Sequence, residues 1–101
     1  VYSTQKLLQR AGMTLDQIDA IELNEAFAAQ SLAVIQEGRY DRTKVNAWGG
    51  AIAIGHPLGA SGTRISATLL HHMNRNKSLK YGLATMCIGV GQGCAIIYEN
   101  L

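Results

Sequence analysis

The sequence predicts a layered α/β fold, a mixed sheet covered by helices. Two observations carry this: stretches with helical spacing alternate with short apolar runs of strand character along the chain, and a glycine-rich segment joins the last two runs as a wide antiparallel hairpin would. Thr4 to Ala11 reads as the first helix, with Leu7, Leu8 and Ala11 at i, i+1 and i+4 and Gly12 placed for a left-handed cap. Thr14-Leu15-Asp16-Gln17 has capping-box form with little room for a long helix, and alternating Ile21 and Leu23 suit a short strand over Asp19 to Leu23. Asn24 then reads as the opening of a second helix, Glu25 to Glu37, with an apolar stripe of Ala28, Leu32 and Ile35 and a stop at Gly38.

Lys44-Val45-Asn46 suits a short strand, after which Trp48-Gly49-Gly50 leads through Ala51 to Ile54 into a turn around His56. A third helix starts near Ser61, carries Ile65, Leu69 and Met73 on its inner line and ends by Asn74 to Asn76. Tyr81 to Cys87 and Ala95 to Tyr98 are the last two strands.

At 101 residues the chain has the size of a single domain or part of one, and 48% hydrophobic against 16% charged residues describe a folded, rather apolar protein. An apolar surface meant for a partner fits the same composition. The net charge of +2 is scattered, so no basic stripe points to nucleic acid. No apolar run is long enough for a membrane span and no signal-peptide pattern is present, so the expectation is a soluble, cytoplasmic protein with Cys87 and Cys94 reduced. The opening Val1-Tyr2-Ser3-Thr4 runs straight into helical pattern and reads as the start of a piece of something longer.

Six of the 11 glycines fall in two turns, each built around one reactive side chain: Gly55-His56-Pro57-Leu58-Gly59-Ala60-Ser61-Gly62 and Cys87-Ile88-Gly89-Val90-Gly91-Gln92-Gly93. Bare backbone there lets a ligand approach main-chain N–H groups. Familiar motifs fail on inspection. Gly50 and Gly55 have phosphate-loop spacing, but His56 and Pro57 replace the Lys and Ser/Thr; Cys94 stands where a dinucleotide fingerprint needs its third glycine. Ser61 lacks the nucleophile-elbow spacing and reads as a helix N-cap. The cysteines are too far apart for a metal clamp, and His71 and His72 point to different helix faces, so no metal site is expected.

His56 is either a structural turn histidine or, held at a rigid corner by Pro57, a base and oxyanion donor. Cys87 is either a small buried apolar residue or a reachable acid and base, with the Gly89 N–H as an oxyanion donor beside it. Asn24 is either a helix cap or an inward amide that orients water, with Glu25 bracing the turn; Cys94 reads as packing.

Taken together, Asn24-Glu25-Ala26-Phe27-Ala28, the run from Asn46 through Gly49-Gly50-Ala51-Ile52-Ala53 to Gly62, and the Cys87 to Gly93 loop closely resemble the thiolase family over essentially the whole chain. The resemblance implies two similar halves in a layered αβαβα architecture, of which residues 1–101 are most of the second, lacking its first strand and the N-terminal catalytic half. It implies acyl transfer between coenzyme A thioesters: His56 activates a nucleophilic cysteine of the first half and, with a water held by Asn24, stabilises an enolate. Cys87 moves the proton at the α-carbon, and the Gly89 N–H helps form a second oxyanion hole. Coenzyme A enters as substrate, with no resident cofactor, and the partners are acyl-CoA, the N-terminal half, and a second copy or more in a homodimer or homotetramer. A short-chain acetoacetyl-CoA enzyme is the first expectation, longer 3-ketoacyl-CoA substrates the next. Two alternatives stay open: a carrier-protein-dependent condensing enzyme, and a piece that is inert on its own and serves folding or assembly.

Overall fold

In a computed structural model, which describes residues 1–87 and 92–101, a three-stranded sheet lies between helices on both faces. β1 (Ala20–Leu23) pairs parallel with β2 (Tyr81–Cys87), and β2 pairs antiparallel with β3 (Gly93–Glu99), giving the order β1-β2-β3. The alternation in the sequence is thus a mixed α/β sheet, and the last two strands are antiparallel over their full length as the hairpin reading requires. Asp19 Oδ2 accepts from the N–H groups of Lys80 (2.8 Å) and Tyr81 (3.2 Å), tying the start of β2 to β1.

Strand alternation divides the side chains between two cores. On one face Ile21, Leu83 and Ile97 meet Leu7 and Leu8 of α1 (Tyr2–Ala11) and Val34 and Ile35 of α2 (Ala28–Gly38), with Tyr40 and Ile18 closing the cluster. On the other, Ala20 and Ala84 meet Ile65, Leu69 and Met73 of the long helix α4 (Ser61–Arg75), which follows the single turn of α3 (Ala51–Ile54); this is the line expected from its i, i+4, i+8 spacing. α4 approaches so closely that a Cβ at Gly82 would overlap Met73 Sδ and lie 2.9 Å from Leu69 Cδ1. A buried chain of hydroxyls crosses the first core: Tyr40 donates to Thr4 (3.0 Å), Thr4 lies 3.4 Å from Thr85, and Thr85 donates to the Cys94 carbonyl at 3.1 Å.

Helix ends follow local chemistry, with corrections. Gly12 caps α1 at φ 66°, as expected, and the Gln17 side chain accepts from the Thr14 N–H at 2.8 Å. α2, however, starts at Ala28 behind Phe27, and Asn24 does not cap it. Asn24 instead prolongs β1, its N–H donating to the Thr85 carbonyl at 3.0 Å. Gly38 is the last helical residue, and Arg39 takes the left-handed position. The expected stripe of α2 is rotated: Ser31 is buried while Ala28 and Leu32 face outward. β1 is buried on both faces rather than alternating, because α4 covers the side opposite Ile21 and Leu23. Around Val45 a 3-10 turn, Arg42–Lys44, leads into a single parallel bridge to Ile21 in place of a strand. Ser61 is the first residue of α4, not its cap, which is Ala60.

Candidate active site

The C-terminal ends of parallel strands are where an open α/β sheet presents ligand-binding residues, and here β1 ends in Asn24 and β2 in Cys87. The register that sets Leu23 opposite Thr85 puts Asn24 beside Met86 and Cys87 one step beyond, about 6 Å away between Cα atoms for a normal strand spacing and rise. Residues far apart in the chain are therefore neighbours. Their side chains leave the sheet on opposite faces. Asn24 points toward α4 and is fully buried, whereas Cys87 is exposed and lines a cleft of ≈140 Å³ with Val1, Ser3, Thr85 and Gln92.

His56 reaches Asn24 from the turn before α4. That turn is entered from α3 through Gly55 at φ 100°, ψ 164°, a conformation that excludes a Cβ, and it is tightened by the Ala60 and Ser61 N–H groups, both bonded to the Pro57 carbonyl at 2.9 Å. The imidazole is gripped at both nitrogens. Nε2 faces Asn24 Nδ2 at 3.4 Å, and Nδ1 is in close hydrogen-bond contact with Ser61 Oγ, which itself donates to the Pro57 carbonyl at 3.2 Å.

These contacts are consistent with one direction along the relay. With the single Ser61 proton given to Pro57, Ser61 accepts from Nδ1–H, and Nε2 then carries the lone pair and accepts from the Asn24 amide. In this arrangement the acceptor nitrogen of the ring faces the strand ends.

The surrounding segment is braced from both sides. The Asn46 side chain replaces a missing strand partner, accepting from the Leu23 N–H and donating to the Leu23 carbonyl, both at 2.8 Å. Glu25 Oε1 accepts from the Ile52 N–H at 3.2 Å, so Glu25 ties the segment after β1 to α3 rather than bracing a helix start at Asn24. Gly50 makes room for both: a Cβ there would overlap the Glu25 carboxylate and lie 2.7 Å from Asn46 Nδ2.

Glu22, two residues before Asn24 on the same strand face, is 2% exposed. Burial pushes its carboxyl from 4.5 up to about 7, with Arg64 pulling it down and Glu25 adding to the rise. The sequence reading missed Glu22, Arg64 and the role of Ser61. The spacing Glu22-x-Asn24 on a strand, and a serine five residues after a turn histidine, were the available signals.

Of the residues singled out, Asn24 and His56 are brought into contact, and Cys87 stands at the same sheet end without touching either. Gly89 lies outside the described residues. Cys94 is exposed and does not pack; its partner across the hairpin is Met86, on the α4 side of the sheet. Cys87 pairs with Gly93, so the two thiols project from opposite faces of the sheet and no disulfide joins them. Among the described residues no three His, Cys, Asp or Glu side chains form a metal-binding group, and no helix is long and apolar enough to cross a membrane.

Comparison with known proteins agrees with this architecture. A family described as "Thiolase, C-terminal domain" matches residues 1–100. The 3-ketoacyl-CoA thiolase of Aeromonas salmonicida (strain A449) is 58% identical over 104 residues, covering 100% of this chain and 27% of that protein. The 3-ketoacyl-CoA thiolase of Marinomonas sp. (strain MWYL1) is 59% identical over 104 residues, covering 100% and 26%. That of Vibrio cholerae serotype O1 (strain ATCC 39315 / El Tor Inaba N16961) is 60% identical over 103 residues, covering 99% and 26%. The chain thus spans about a quarter of the length of these relatives. A mixed α/β domain with this sequence, matched along its whole length, belongs to the thiolase family as its C-terminal domain.

Proposed function

We propose that this chain supplies the base and the proton-transfer groups of an acyl-transfer site that cleaves 3-ketoacyl-CoA with coenzyme A. The observation that carries the reading is the relay from Asn24 through His56 to Ser61, which leaves Nε2 as the proton acceptor at the sheet end. Nε2 takes the proton of a nucleophilic cysteine lying outside this chain, and the thiolate attacks the 3-keto carbon. The C2–C3 bond breaks, its electron pair passes to C2 of the departing acetyl-CoA, and Cys87 supplies the proton there. Coenzyme A thiol then takes the acyl group from the cysteine.

Once protonated, Nε2 can no longer accept from Asn24. It becomes a donor to developing negative charge, and the Asn24 amide is released to hold a water beside it. The Gly89 N–H is assigned to the second oxyanion. An enolate near neutral pH requires this combination of a placed acid and oriented donors in a water-poor pocket. The exposed apolar rim of Phe27, Ile52, Ile54 and Leu58 beside the site supports its being covered by further protein.

The names of the relatives favour 3-ketoacyl-CoA substrates over a dedicated acetoacetyl-CoA enzyme. The test is thiolysis of acetoacetyl-CoA and of a longer 3-ketoacyl-CoA by a complete thiolase carrying this domain, with peptide mass mapping of the acylated residue. His56→Ala and Cys87→Ala are each expected to lower turnover by about 10²–10⁴-fold. Acylation of Cys87 itself, or full activity without His56, would overturn the assignment.

A further inference from the structure

The interface between β1 and α4 contains a second polar rung behind the first. Glu22 and Asn24, two apart on the strand, both face the helix; Ser61 and Arg64, three apart, lie on one side of α4. The outer rung joins Asn24 to Ser61 through His56. The inner rung sets Glu22 near Arg64, the charge that acts on its carboxyl, with Glu25 from the following segment as the other charged neighbour.

Among the described residues, buried polar atoms of this interface lack partners in a complementary way. Glu22 Oε1 and Asn24 Oδ1 are acceptors without donors, while Nε and both terminal nitrogens of Arg64 are donors without acceptors. Glu22 and Asn24 are almost completely buried, so bulk water does not satisfy them. One ordered water can accept from the Arg64 guanidinium and donate to both oxygens, the two-to-four-partner environment that buried waters occupy.

The orientation of the Asn24 amide depends on this rung. With Oδ1 turned inward, Nδ2 donates to His56 Nε2 and the imidazole is a base at that nitrogen. If the amide turned over, Oδ1 would accept from Nε2–H, Nδ1 would accept from the Ser61 hydroxyl, and the basic nitrogen would face away from the sheet end. We propose that Arg64 and Glu22 are positioning residues: through a buried water they hold Asn24 Oδ1 inward and so select the His56 tautomer that is basic at Nε2. The kinetic consequence rests on the acyl-transfer reading; the tautomer does not.

The experiment is ¹⁵N NMR of the histidine ring nitrogens in a complete thiolase carrying this domain, with wild type, Arg64→Met, Arg64→Lys and Glu22→Gln compared and His56→Gln used only to assign the signals. The wild type is expected to show the Nδ1–H tautomer. Arg64→Met is expected to shift His56 toward Nε2–H and to lower kcat about 10²-fold with little change in KM, the scale of a displaced catalytic group. Arg64→Lys, still a donor, is expected to restore most of the Nδ1–H signal. Glu22→Gln keeps the shape of the pocket and is expected to give an intermediate shift, which keeps the test decisive if Arg64→Met does not fold.

An Nε2–H tautomer in the wild type, or the wild-type tautomer unchanged in folded Arg64→Met or in Glu22→Gln, overturns the proposal even in an enzyme that cleaves 3-ketoacyl-CoA. The expected tautomer shifts in an enzyme that cleaves none would support the proposal and overturn the function reading alone.

Discussion

Replacing Glu22 with glutamine should remove a pH dependence of stability that this one carboxyl imposes. The group is buried between β1 and α4, and its pKa rises from 4.5 in the ordinary case to about 7 in the fold. Between those values the folded protein holds a proton that the unfolded chain has released, so stability falls as pH rises; the contribution is whole below about 4.5 and lost above about 7. At about 1.4 kcal/mol per unit of pKa displacement, linkage gives a loss of about 2–3 kcal/mol between pH 5 and pH 8. A glutamine side chain at this position has the same shape and does not titrate. The stability of Glu22→Gln relative to wild type should therefore improve by that amount across the same interval, while pH effects common to both proteins cancel. Urea unfolding at pH 5, 6, 7 and 8, followed by the fluorescence of the single tryptophan Trp48, measures it. Parallel stability curves for the two proteins would show that Glu22 stays ionised in the fold, with Arg64 outweighing its burial.

Ser61→Ala removes the acceptor of the His56 Nδ1–H from a buried position and should lower kcat/KM by about 5- to 150-fold, the equivalent of one unsatisfied buried donor. Thiolysis at the wild-type rate would show that the turn alone orients the ring. Gly82→Ala should destabilise the domain by about 1–3 kcal/mol in urea melts, because the added methyl meets Met73 and Leu69; an unchanged midpoint would mean that these two side chains turn aside without cost. Cys87 and Cys94 should both be alkylated by iodoacetamide in the folded chain, being exposed on opposite sheet faces. Protection of either until unfolding would contradict its placement.

The parts of the fold legible in the sequence are those where one signal dominates. Ile65, Leu69 and Met73 mark the inner line of α4 because they recur every four residues on one face, which leaves Leu70 outside it, and Gly12 ends α1 because the left-handed position suits it. β2 and β3 could be read because turn-forming glycines separate two β-rich runs. The second helix departs from the sequence expectation at its start and on its inward face for a common reason, while its end falls within one residue of the expected stop. Asn24 has the chemistry of a cap, but tertiary pairing with Thr85 overrides local preference and draws it into the sheet. The helix consequently begins later, its inward face shifts to Ser31, and the apolar Leu32 is left outside. His56 and Cys87 stood out because glycine turns frame them. Glu22 and Arg64 did not, since a lone carboxylate in a strand and a lone arginine in a helix look like solvated charges until the sheet and α4 are laid together.

The geometry of the sheet also accounts for a division of labour within the site. Asn24 and Cys87 terminate adjacent parallel strands, yet the alternation of the pleat sends one side chain toward α4 and the other toward α1 and α2. The buried face carries the groups whose orientation must be held, and it holds them with Ser61, the Pro57 carbonyl and the Asn24 amide. The open face carries the thiol, lining a cleft with no hydrogen bond to its sulfur among the described residues, an arrangement compatible with the proton transfer to a substrate carbon proposed for it. A substrate that contacts both must lie across the strand ends, over the edge of the sheet. The exposed apolar side chains of Phe27, Ile52, Ile54 and Leu58 border that edge. Those side chains lower the cost of excluding water once a substrate lies there.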